Sequence, residues 1–78
     1  ELGEAIAAYR GATARDKAAD ARLERLQRLE ADGVASRSQV LESIADHAEA
    51  EAALEASEER LRILGVDPSK GNPHTGEH

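Results

Sequence analysis

Seventy-eight residues with a formal charge of −6 and no cysteine leave room for one small domain at most. The acidic balance argues against nucleic acid as a partner, since binding it needs a net basic footprint that releases counterions, and the missing cysteines exclude disulfides, thiolate metal sites and cysteine nucleophiles. The apolar inventory is sixteen Ala against fourteen Leu, Ile and Val and one Tyr, so half of it is methyl groups and the chain has little area to bury by itself. It is expected to lean on a partner or a parent chain.

From Leu2 to about residue 32 the chain consists mostly of strong helix formers, weakened at Gly3 and Gly11 by about 1 kcal/mol each relative to Ala. Leu2, Ile6, Tyr9, Leu23, Leu26 and Leu29, with Ala12 and Ala19 between them, recur in steps of three and four. That spacing predicts a narrow coiled-coil stripe. Asp32-Gly33 then ends the first arm, the glycine being free to take a left-handed conformation.

After a tip at 33–36 the pattern restarts. Ser36 with Gln39 three residues on forms an S-x-x-Q capping box, which predicts a second arm over about 37–64. That arm carries Val40, Leu41, Ile44, Ala48, Leu54, Leu61 and Leu64 and stops at Gly65 and Pro68. Residues 67–78, with two Pro and no periodicity, read as loop. So short a connection makes the arms antiparallel neighbours. The fold class is therefore all-α, an antiparallel two-helix coiled-coil hairpin over 1–66.

In such a hairpin the numbers of facing residues sum to a constant. A sum of 66 or 67 pairs Leu26 with Leu41, Leu23 with Ile44, Ala19 with Ala48, Ala12 with Leu54, Ile6 with Leu61 and Leu2 with Leu64. A sum of 68 sets Arg22 against Asp46, Lys17 against Glu51 and Arg10 against Glu58. The arms are expected to be rods of roughly 40 to 45 Å at 1.5 Å per residue.

No uncharged apolar run approaches the ~20 residues of a membrane helix, and interfacial helices use Lys/Arg with Trp or Phe, of which this chain has neither aromatic. The chain opens in mid-pattern at Glu1-Leu2, which reads as a piece of something larger, so the lack of a leader says nothing about its destination. An enzyme needs groups converging in a pocket, and a two-helix rod offers none, so no catalytic residue and no cofactor is expected. His47 falls near Asp20 with Glu51 one turn on, the makings of a weak surface metal site. His74 and His78 are separated by Gly76 and preceded by Pro73, which disfavours a helical His pair. Solvated histidines are the expectation for all three, and no metal site is assigned.

The seam does not fully use three residues at the tip: Arg25, Leu29 and Ser36, spaced R-x3-L-x6-S over "RLQRLEADGVAS", residues 25 to 36, around the turn "LEADGVASRSQVLES". This resembles the tip motif of periplasmic adaptors, the membrane fusion proteins (HlyD/RND type) of tripartite efflux pumps. "EERLRILGVDP", residues 58 to 68, is similar to the stretch where the hairpin of such adaptors returns toward the lipoyl domain, particularly in heavy-metal adaptors of the CzcB and CusB type. The resemblance covers about residues 5 to 68. It implies a tip that docks through Arg25, Leu29 and Ser36 on a TolC-like outer-membrane channel, neighbouring hairpins packed side by side in a homo-oligomeric ring, and an inner-membrane pump reached through absent parent domains. It also implies a periplasmic location. On the residues alone, Arg25 reads equally as a solvated arm residue, Leu29 as a seam residue packing on Val40, and Ser36 as a cap. The reading from another class is a structural coiled-coil spacer or homo-oligomerisation hairpin.

Overall fold

The computed structural model describes residues 1–68 and contains two helices, α1 (Leu2–Ala31) and α2 (Arg37–Ile63), packed against each other as a helical hairpin. It measures 47 × 26 × 14 Å, the length expected of one 30-residue helix at 1.5 Å per residue. From residue 69 onward the expected loop, with His74 and His78, lies outside the described residues.

A line of covered residues in alternating steps of three and four runs along both arms. On α2 this line is Val40, Ser43, His47, Ala50, Leu54, Ser57 and Leu61, and on α1 it is Ala5, Tyr9, Ala12, Asp16, Ala19, Leu23, Leu26 and Glu30, with Ile6, Gly11, Thr13, Leu29 and Glu58 partly covered beside it. Position sums of 66 align Leu26 with Val40, Leu23 with Ser43, Ala19 with His47, Asp16 with Ala50, Ala12 with Leu54, Tyr9 with Ser57 and Ala5 with Leu61. In six of these seven layers a larger side chain lies opposite Ala or Ser. Interdigitation of large with small is how two ridged surfaces fill the space between them without voids. Only the layer nearest the turn sets two branched aliphatics together, Leu26 and the fully buried Val40.

The seam of α2 is therefore one step away from the pairing that the apolar residues suggest. Leu41 and Ile44 stay 51% and 40% exposed, Ala48 is exposed, and Leu64 and Leu2 lie open at the far end. The reason is visible in the spacing: Val40, His47, Leu54 and Leu61 recur at intervals of seven, whereas Leu41, Ile44 and Ala48 fall on the neighbouring face and lose Leu54 and Leu61. A helix cannot present both faces to one partner, and the set that runs its full length wins. The position sum survives this change. Arg22 Nη1 and Asp46 Oδ2 are 3.7 Å apart, as a sum of 68 requires, although both are exposed and the pair contributes little. Lys17 with Glu51 and Arg10 with Glu58 form no ion pair among the described residues.

Polar groups in the seam are handled unequally. Ser57 donates its hydroxyl to the carbonyl of Leu54 at 2.8 Å, whereas the hydroxyl of Ser43, a residue only 1% exposed, has no hydrogen-bond partner. A buried hydroxyl without a partner costs its desolvation, and Ser is also a weaker helix former than Ala. Ser43→Ala is therefore expected to stabilise the hairpin by about 1 kcal/mol, raising Tm by roughly 4 to 8 °C in a circular dichroism melt. A fall in Tm would show that the hydroxyl is satisfied.

Candidate functional site: the hairpin tip

The tip is built from the end of α1. The amides of Gly33 and Val34 donate to the carbonyls of Glu30 (2.9 Å) and Leu29 (2.7 Å), and Gly33 sits at φ +78°. This is the paired 5→2 and 6→1 pattern that closes a helix on a left-handed residue. The carbonyl of Leu29 also accepts from Ala35 at 3.1 Å. Ala35, Leu26 and Val40 form a small buried cluster against which Leu23 and Leu29 pack.

The second arm starts on a reciprocal cap. Ser36 Oγ accepts from the Gln39 amide at 3.1 Å, and Gln39 Oε1 accepts from the Ser36 amide at 2.8 Å. Arg37 Nη1 reaches back across the turn to Glu30 Oε1 at 3.3 Å. Turn, apolar plug and cap together fix where α2 begins, and with it the seam register.

The far end of α2 repeats the same closure: Gly65 at φ +91° donates to Arg62 (3.0 Å) and Val66 donates to Leu61 (2.8 Å). The residue after the glycine usually folds back on the last apolar turn. Val66 is partly covered in this way, but Val34 at the tip is 72% exposed. At the tip Ala35 takes the covered position and turns the valine outward.

Against this frame the three expected docking residues separate. Arg25 is exposed on the outer side of α1, and its guanidinium makes no hydrogen bond or ion pair among the described residues. Leu29 lies one turn nearer the tip on the same flank, half-buried, and both its carbonyl and its side chain serve the turn. Ser36 is exposed and acts as the cap. The turn links Leu29 to the residue preceding Ser36, but no hydrogen bond joins the three side chains. Sequence reasoning missed Val34, although a glycine in the left-handed region followed by a valine was the available signal.

His47 is likewise not the solvated residue expected. It occupies the seam at mid-length with its side chain 18% exposed, and its Nε2 lies near carboxylates of Asp20 and Glu51, as the register implies, and of Asp16, which the sequence reading did not single out. Asp16 is four residues from Asp20 on α1, and that spacing was the missed signal. A shallow open depression lined by Arg62, Gly65, Val66 and Asp67 lies at the other end and brings no catalytic pair together.

No family model, curated protein or solved structure matches this chain.

The cap can be tested apart from any partner. Ser36→Ala is expected to cost about 1 kcal/mol of stability and Ser36→Asp to recover most of it, read as Tm by circular dichroism. Equal losses in both would mean that the position matters through something other than its cap.

Proposed function

We propose that this hairpin is the coiled-coil arm of a periplasmic adaptor, whose tip docks on the periplasmic end of a TolC-like outer-membrane channel and extends a conduit from an inner-membrane efflux pump. The observation that carries the reading is the tip. A sharply closed turn holds an unpaired Arg25 and an outward Val34 on the end of a rod 47 Å long, with Leu29 and the Ser36 cap beside them. Exposed aliphatic side chains at a rod end suit insertion between partner helices, and a guanidinium with five donors suits carbonyls or carboxylates there. The spacing of Arg25, Leu29 and Ser36 supports the same assignment, and the resemblance of residues 58–68 favours the heavy-metal subtype.

A second reading, a structural spacer or homo-oligomerisation hairpin, draws on a different observation. Leu41, Ile44, Ala45 and Ala48 share one exposed face of α2. Under the adaptor reading that face is where neighbouring hairpins of the ring pack. Under the spacer reading it is the whole of the function, and the tip is free to vary.

Arg25→Glu and Val34→Asp separate the two, because both side chains are exposed and such changes alter stability by only about 0.5 kcal/mol. In cells, each is expected to abolish copurification of the channel with the adaptor while the melt of the isolated chain stays unchanged. Leu29→Asp is expected to do the same but also to loosen the turn. A photocrosslinker at position 34 should yield an adduct with a channel subunit. If only self-adducts formed, the spacer reading would replace the adaptor.

A further inference from the structure

Half way along the rod, two pairs of side chains spaced i, i+4 face each other across the seam: Asp16 and Asp20 from α1, His47 and Glu51 from α2. His47 Nε2 lies 3.5 Å from Asp16 Oδ1, 3.8 Å from Asp20 Oδ1 and 3.8 Å from Glu51 Oε2. One ligand atom each from Asp16, His47 and Glu51 falls within a sphere in which no pair is more than 4.8 Å apart.

Three features of this cluster need explaining. The separations exceed the 2.7–3.2 Å of N–H···O hydrogen bonds, so the imidazole is not simply donating to a carboxylate. Asp16 Oδ1 is buried and has no hydrogen-bond donor at all. No Lys or Arg pairs with any of the three carboxylates among the described residues. Of the three carboxylates only Asp16 lies in the seam, while Asp20 and Glu51 stand more than half exposed at its edge, so the cost of desolvation without a fixed cation falls on Asp16.

We propose that Asp16, His47 and Glu51, with Asp20 at the rim, form a binding site for a divalent first-row transition cation of the zinc type, one that ties the two arms together at mid-length. The 3.5 and 3.8 Å from His47 Nε2 to Asp16 and Glu51 are close to the edge of a tetrahedron of N and O ligands around zinc, about 3.4 Å for bonds of about 2.1 Å, and the two carboxylates lie within 4.8 Å of each other. A neutral imidazole with carboxylates is a donor set for Zn²⁺ and its neighbours, whereas Mg²⁺ prefers oxygens and water. The cation would supply the partner that Asp16 Oδ1 lacks and offset the charge that the arms bring together. Because its ligands come from both helices, it would bind the assembled hairpin and not either arm alone, so binding would stabilise the fold.

The test uses the 78-residue chain carrying His74→Gln and His78→Gln, so that the tail imidazoles do not compete. Zinc chloride is titrated in by calorimetry, and thermal melts are followed by circular dichroism. One-to-one binding and a Tm increase on the order of 10 °C at a hundredfold excess over Kd are expected. His47→Gln should weaken binding at least about tenfold, with Asp16→Asn also weakening it. No binding heat and no shift in the melt would overturn the site. So would an equal shift with magnesium, or with zinc in His47→Gln, since either would reduce the effect to screening of an acidic surface. Should His47→Gln lower the helix content, the imidazole NMR signals of His47 in the parent chain decide: they move on adding zinc, or the proposal fails.

Discussion

The alternation of larger and smaller side chains along a seam of period seven is the constraint on which this hairpin depends. Wherever α1 offers Ala, α2 offers Leu or His; wherever α2 offers Ser or Ala, α1 offers Leu, Tyr or Asp. In six of the seven layers a larger side chain on one arm is thus received by a small one on the other, which lets the helices pack closely along their length. This explains how a chain with sixteen alanines builds a defined seam at all. The methyl groups are the holes that receive the other arm's knobs.

A seam of this kind is permissive about register, because sliding one arm by seven residues again sets Ala against larger residues through much of its length. The turn removes that freedom. The left-handed Gly33, the two amides on the Leu29 carbonyl, the Ala35 plug and the Ser36–Gln39 box leave α2 one starting point. Local chemistry at residues 29–39 thus selects one alignment from several that packing alone would accept. The same closure directs Val34 outward, so the device that sets the register also shapes the surface at the tip.

The architecture was legible in the sequence because its signals are local and redundant: helix formers on both sides, a glycine stop, a capping box, and apolar pairs whose position sums stay at 66 or 67 from end to end. What misled was the identity of the α2 face. Leu41 and Ile44 are the more conspicuous apolar residues, and large side chains draw the eye more than Ser43, His47 and Ser57 do. Only the interval of seven through Val40, His47, Leu54 and Leu61 distinguishes the true seam, and two of its members are separated by histidine. At the tip, the spacing of Arg25, Leu29 and Ser36 could be read directly. The half-burial of Leu29 and the exposure of Val34 could not, because they depend on which residue after Gly33 folds inward. Asp16 was hidden for a similar reason, since an acidic residue in a charged helix reads as solvated until its partner arm is in place.

The polar layers are not spread at random. Leu26, Val40 and Leu23 close the seam near the turn, Leu54 and Leu61 close it toward the base, and the layers of Asp16 and His47 lie between. A thin rod has no interior far from water, so polar residues at its middle escape the full cost that a globular core would impose, yet Asp16 and His47 remain covered enough to sense one another. Placed near a frayed end, the same residues would be solvated and inert. Placed between two apolar clamps, they are held in register by packing they do not themselves supply. Where the seam is weakest in hydrophobic terms, the geometry is therefore still well defined, and that combination is what a ligand bridging the two arms requires.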